Sequence, residues 1–181
     1  MIIAAIPAYN EEIAIGSVIL RAKKYADTVI VIDDGSTDAT SAIAGLAGAT
    51  VIRHSSNQGK GIALRDAFLR AQEMNADILV CLDADGQHNP DEIPDLLAPL
   101  RNDTADMVIG SRFLEVKSTI PAYRRAGQSV LNFLTNSVSH SSVTDSQSGF
   151  RAFSKKAIRC LTLEEGGIGI ESYLQRAAYD Q

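Results

Sequence analysis

Asp77-Ile78-Leu79-Val80-Cys81-Leu82-Asp83-Ala84-Asp85-Gly86-Gln87-His88 passes in one step from an unbroken apolar run to a cluster of acids and turn formers. An apolar run without polar alternation predicts a strand covered on both faces, as in a parallel sheet. The acids that follow then lie at the carboxyl end of that strand. Side chains alternate along an extended chain, so Asp83 and Asp85 can point to the same side and share a cation. A Mg²⁺ or Mn²⁺ held by one or two carboxylates keeps positions open for phosphate oxygens, and Gln87 can add an oxygen directly or through water. A D-x-D spacing is also common in solvated turns; its place after a buried strand is what gives it weight.

Working outward, similar runs predict strands at 2–6, 28–32, 50–52 and 107–110, besides the one at 77–82. Between them lie helix candidates at 11–25, 38–46, 61–74 and 91–101. Ser36 or Thr37 is the expected cap of the second helix, and Asn89-Pro90 supplies an N-cap and first-turn pair for the fourth. The order βαβαβαβαβ predicts an open α/β sandwich with a mostly parallel sheet. No internal repeat, low-complexity tract or linker interrupts it, and the Ser-rich stretch 137–148 is the one candidate for a long mobile loop.

In such sheets ligands sit beyond the carboxyl ends of the strands, near a topological switch point. The first strand is followed by Pro7-Ala8-Tyr9-Asn10-Glu11-Glu12, the second by Asp33-Asp34-Gly35-Ser36, the fourth by Asp83-Ala84-Asp85 and the fifth by Ser111-Arg112. Carboxylates therefore follow three of these four strands at the edge where a ligand belongs. An acid after the second strand can accept hydrogen bonds from a base or ribose, or the same residues can form a helix-capping turn. Segment 7–12 lacks the glycines of G-x-G-x-x-G, which disfavours a dinucleotide oxidoreductase. Asn57-Gln58-Gly59-Lys60-Gly61 opens a helix, and its amides can hold an anion, although close helix–sheet packing explains the glycines equally well.

The 181 residues fit one domain, with 45% hydrophobic and 22% charged residues, as in ordinary globular proteins. A net charge of −5 argues against duplex nucleic acid as the main partner. No apolar run approaches the roughly 18–20 residues of a bilayer span, and the N-terminus reads as a core strand rather than a signal peptide. Cys81 and Cys160 form no disulfide framework, and a cytoplasmic location is expected. His54, His88 and His140 share no metal spacing; only His88 stands beside other candidate ligands.

Six segments taken in order resemble glycosyltransferase family 2: Pro7-Ala8-Tyr9-Asn10-Glu11, Val31-Ile32-Asp33-Asp34-Gly35-Ser36, Asn57-Gln58-Gly59-Lys60-Gly61, Asp83-Ala84-Asp85-Gly86-Gln87-His88, Gly110-Ser111-Arg112 and Ser148-Gly149-Phe150-Arg151. More narrowly they are similar to the polyprenyl-phosphate (dolichyl-phosphate) mannosyl- and glucosyltransferase branch. The resemblance implies a GT-A three-layer sandwich with a Rossmann-like nucleotide-binding half. It divides a single catalytic domain, 1–181, into a nucleotide-sugar and metal half at 1–112 and an acceptor half at 113–181. It implies that Pro7, Tyr9, Glu11, Ile32, Asp33 and Asp34 hold the donor's base and ribose. Asp83, Ala84, Asp85 and Gln87 would hold Mg²⁺ or Mn²⁺ and the diphosphate, with Lys60 beside them. Arg112 and one of Arg124 and Arg125 would grip phosphate, and Asp145 would serve as an acceptor-side or base carboxylate. The implied catalytic set is Asp85, Asp145 and Arg112.

The implied reaction is an inverting transfer of a hexose from a nucleotide-sugar to a polyprenyl phosphate. GDP-mannose, UDP-glucose and UDP-N-acetylglucosamine all remain open as donors. Residues 121–140 place Tyr123, Val130, Leu131, Phe133, Leu134 and Val138 near helical spacing, with Lys117, Arg124 and Arg125 at one end. That pattern fits either a core helix or an amphipathic segment resting on the cytoplasmic membrane face. Family members usually continue beyond the position of Gln181, so the sequence reads as a minimal member or as the donor-binding core of a longer transferase. A nucleotidyltransferase and a non-catalytic nucleotide-sugar-binding module are the competing readings. The first prefers a Gly-rich, basic loop after the opening strand, and the second the loss of Asp83 and Asp85.

Overall fold

The computed structural model describes residues 1–110 and 148–161. Six strands form one sheet in the order β3-β2-β1-β4-β6-β5. They are β1 (Ile2–Ala8), β2 (Thr28–Asp33), β3 (Thr50–Arg53), β4 (Ile78–Cys81), β5 (Met107–Ile109) and β6 (Arg151–Ser154). β1 pairs in parallel with β2 and β4, and β2 with β3. β6 is inserted antiparallel between β4 and β5. The mostly parallel sheet is thus as expected, but β6 is an addition. Its four residues, Arg151-Ala152-Phe153-Ser154, carry no apolar run to announce a strand.

Alternating side chains give each inner strand two buried faces. On one face Ala4, Ile6, Val29, Val31, Val80 and Leu82 pack against α1 (Ile15–Ala22), α2 (Thr40–Leu46) and α4 (Ile93–Arg101). On the other, Ile3, Ala5, Ile30, Ile32, Leu79, Cys81 and Phe153 pack against α3 (Lys60–Glu73) and α5 (Lys155–Cys160). Phe68 of α3 meets Phe153 edge to face, with centroids 4.9 Å apart. Cys81 is core filler, and burial pushes its thiol up to about 12. Among the described residues no helix is long and apolar enough to cross a membrane.

Two helix boundaries differ from expectation. The first helix begins at Ile15 rather than near residue 11, because the preceding residues are committed to the turn after β2. Asn10 takes a left-handed φ of 56°. Its side-chain oxygen accepts from the Thr37 amide at 2.8 Å, while the Glu11 amide donates to Thr40 Oγ1 at 2.8 Å. Neither Ser36 nor Thr37 caps α2. Its first turn is held by Asp38, which accepts from the Thr40 amide at 2.9 Å, and by Glu12, which accepts from the Ala39 amide at 2.9 Å. Asn89 does act as foreseen, accepting from the Asp91 amide at the head of a 3-10 turn, Pro90–Glu92, that leads into α4.

Candidate active site

β1, β2 and β4 end side by side, since Ala8 is in register with Asp33 and Ala5 with Cys81. Beyond these ends lies a cleft of about 290 Å³, lined by Pro7, Ala8, Tyr9, Glu11, Asp34, Asn57, Lys60, Ala63, Asp83, Ala84 and Asp85. The switch in strand order falls here, with β2 and β4 on opposite sides of β1, as the edge rule requires.

Asp83 is held from two sides. Its Oδ1 lies 2.8 Å from Lys60 Nζ, and its Oδ2 lies 3.3 Å from Nε2 of the buried His88. Burial pushes its carboxyl up, but the His88 hydrogen bond and the Lys60 charge outweigh this and hold it well below the usual carboxylate range. The backbone of Gly149 lies against the same carboxylate, where a β-carbon would overlap it. Asp85 is exposed; its Oδ1 accepts the Gln87 amide at 2.9 Å.

Asp34 organises the neighbouring loop. Its Oδ1 accepts from the Gln58 amide at 2.9 Å and its Oδ2 from the Gly59 amide at 2.7 Å. The anion held by the amides of this Gly-rich loop is therefore the protein's own carboxylate. Gly35 makes the turn possible: it has φ 76°, and a β-carbon there would stand 2.8 Å from the Asn57 nitrogen. His54 Nδ1 lies 2.7 Å from Asp34 Oδ1.

The structure brings Pro7, Tyr9, Glu11, Asp34, Lys60, Asp83, Ala84 and Asp85 to one cleft. Three other candidates do not line it. Ile32 packs in the core against α3. Asp33 turns inward, accepting from the Ser36 amide at 2.9 Å and from the Ser41 hydroxyl. Burial raises its carboxyl, and those hydrogen bonds together with Arg53 bring it below the ordinary value. Gln87 is exposed beyond the rim. Arg112, Arg124, Arg125 and Asp145 lie outside the described residues, as does the stretch 121–140.

The donor set fits a hard divalent cation. Burial and the charges of Asp85, Asp38 and Asp83 raise the Glu11 carboxyl above its ordinary value, so the acids of the cleft repel one another. Among the described residues no three His, Cys, Asp or Glu side chains converge on one point. A cation here would draw one or two carboxylates from the protein, Asp85 foremost, and its other oxygens from phosphate and water. That is the habit of Mg²⁺ and Mn²⁺ rather than zinc.

Ala63, the pairing of His54 with two acids and the close approach of Gly149 to Asp83 were not legible in the sequence. His54 directly follows β3. Asn57 and Ala63 bracket the Gly-Lys-Gly motif.

This sheet, with its acidic cleft at the switch point, has the GT-A glycosyltransferase fold. Glucosyl-3-phosphoglycerate synthase of Mycobacterium tuberculosis, solved with Mn²⁺, UDP-glucose and phosphoglyceric acid, superposes with a TM-score of 0.80 at 26% identity, over 100% of this chain and 66% of that one. The pattern of Glycosyl transferase family 2 matches residues 3–162, and the chain belongs to that family. It is 37% identical to the UDP-N-acetylglucosamine–dolichyl-phosphate N-acetylglucosaminyltransferase of Methanococcus voltae, over 90% of this chain and 72% of that protein. It is 31% identical to the undecaprenyl-phosphate mannosyltransferase of Micrococcus luteus, over 90% and 70% respectively. An uncharacterized protein of Methanocaldococcus jannaschii is 40% identical over 87% of this chain. The chain spans 66% of that protein's length, about two thirds.

Proposed function

We propose that this chain is an inverting glycosyltransferase that moves a hexose from a nucleotide-sugar to a polyprenyl phosphate. The observation that carries the reading is the single cleft holding Glu11, Asp34, Lys60, Asp83 and Asp85 at the ends of β1, β2 and β4. The M. voltae and M. luteus relatives, each named for a polyprenyl-phosphate acceptor, support the acceptor class.

In this reading Pro7, Tyr9 and Asp34 flank the nucleoside, and Asp85, with Asp83 beside it, holds Mg²⁺ or Mn²⁺. The cation, when bound, offsets negative charge on the nucleoside diphosphate. Lys60, fixed by Asp83, presents its charge to the same region. An acceptor phosphate oxygen attacks the anomeric carbon as the bond from that carbon to the diphosphate oxygen breaks. The nucleoside diphosphate leaves with the electron pair, and configuration inverts. A phosphomonoester's second pKa is about 6, so the acceptor is already largely ionised and needs no strong base. Arg112 and Arg125 grip phosphate and Asp145 orients the acceptor, as the family resemblance implies.

A panel of GDP-mannose, UDP-glucose and UDP-N-acetylglucosamine, assayed with a short polyprenyl phosphate and Mg²⁺ or Mn²⁺, tests the proposal. Transfer from one donor that a chelator abolishes is expected. Absence of both turnover and donor binding would overturn it.

A further inference from the structure

His54 stands one residue past β3, buried, with both ring nitrogens against carboxylates. Nδ1 lies 2.7 Å from Asp34 Oδ1, and Nε2 lies 2.9 Å from Asp66 Oδ2 on α3. Ionised carboxylates only accept hydrogen bonds, and a neutral imidazole donates only one. The two contacts are both satisfied when the ring is an imidazolium. A proton on either acid instead is disfavoured by what those acids already accept. Asp34 takes the amides of Gln58 and Gly59, and Asp66 Oδ1 takes the Arg65 guanidinium at 3.1 Å.

The other charged groups nearby are engaged elsewhere. Asp33 meets His54 only through its backbone oxygen, which accepts the His54 amide at 2.9 Å. Arg53 donates to the Ser36 carbonyl at 2.7 Å. Burial works against a charge on the ring, but the hydrogen bonds and charges of Asp34 and Asp66 outweigh it, and the pKa is raised above its ordinary value.

We propose that His54 is a positioning residue: as an imidazolium it clamps Asp34 to α3, and losing its proton loosens the 57–59 loop at the cleft. Asp34 is the shared point. One of its oxygens receives both His54 and the Gln58 amide, and the other receives the Gly59 amide next to Lys60. A neutral ring must give up the bond to Asp34 or the bond to Asp66. Either choice frees one end of the link between the sheet edge and the helix that carries Lys60. The raised pKa sets the direction: the clamp is intact below it and is lost as pH rises through it. A consequence for donor affinity rests on the function proposed above.

The test follows the His54 imidazole and the Gln58 and Gly59 amides by NMR between about pH 5 and pH 9, in the wild-type chain and in Asp66→Asn. His54 is expected to titrate above about 6.5. The two amide resonances should shift with the same midpoint, which should move to lower pH in D66N. In parallel, binding of UDP and GDP is measured across the same range. The nucleotide that binds should weaken about fivefold or more through the midpoint, and His54→Gln should flatten that dependence. A His54 midpoint at or below the ordinary value overturns the proposal, as do amides indifferent to it. If neither nucleotide binds at any pH while the NMR coupling holds, the clamp is upheld and the donor-cleft reading falls.

Discussion

The backbone of Gly149 lies so close to the Asp83 carboxylate that no β-carbon fits between them. The contact joins the turn leading into β6 to the acid that follows β4, beside the Lys60 and His88 partners of the same carboxylate.

Gly149→Ala is therefore expected to displace Asp83 while leaving the distant core intact. Turnover should fall by more than about tenfold, with a stability loss of about 1–3 kcal/mol from overpacking. Steady-state rates alongside a thermal melt check this. Wild-type activity in a folded G149A protein would show that the position of Asp83 is unimportant.

The two acids of the D-x-D pair should separate on substitution. Asp85→Asn is expected to lower Mn²⁺ affinity in the presence of nucleoside diphosphate by about tenfold or more. In Asp83→Asn the chief loss should be the anchorage of Lys60, and with it nucleotide affinity in metal-free buffer. Paired Mn²⁺ and nucleotide titrations separate the two. Equal effects on both measurements would show that the acids act as one unit.

Asp33 is fully buried and serves the fold rather than the cleft. Asp33→Asn is expected to cost about 1–3 kcal/mol at neutral pH, because Ser36, Ser41 and Arg53 lose a charged acceptor. Its folded-state pKa is depressed, so the wild-type advantage is present above the unfolded value of about 3.9 and is lost as pH falls through the folded one. Denaturant melts of both proteins at several pH values should converge in acid. A gap that does not narrow as the pH falls through the acid range would contradict the ionic origin of the difference.

Asp145 discriminates between acceptor classes. With a phosphate acceptor that is already ionised, Asp145→Asn should retain a rate within about tenfold of wild type. A loss of several orders of magnitude would point to an obligatory base and a hydroxyl acceptor.

The parallel part of the sheet was legible because the runs at 2–6, 28–32 and 77–82 are apolar on both faces, as doubly covered strands must be. The acids at their ends could then be placed by the edge rule alone. The direction in which each acid points was not legible. Asp33 and Asp34 are adjacent and chemically alike, yet the first folds inward onto Ser36 and Ser41 and the second faces the cleft. Adjacent residues of a strand take opposite faces, and only the tertiary neighbours decide which face a ligand shares. β6 escaped because Arg151 interrupts the apolar pattern; it is buried and donates from Nε to the Ser148 carbonyl at 2.9 Å. His54 escaped because a lone histidine carries no pattern until its two acids are found at separations of 20 and 12 residues.

The antiparallel insertion of β6 also bears on the order in which the protein is made. Leu79 and Met107 both pair with Phe153, so the ribosome delivers two strands well before the one that must lie between them. Until Ser154 has emerged, the edge of β4 is open and Asp83 lacks its contact with Gly149. Non-local pairing of this kind is slow and exposes unpaired edges. A nascent chain stalled ahead of Arg151 is expected to bind chaperones through β4 and to have no competent cleft, which crosslinking of stalled chains would reveal. Formation of the cleft therefore waits for translation of β6.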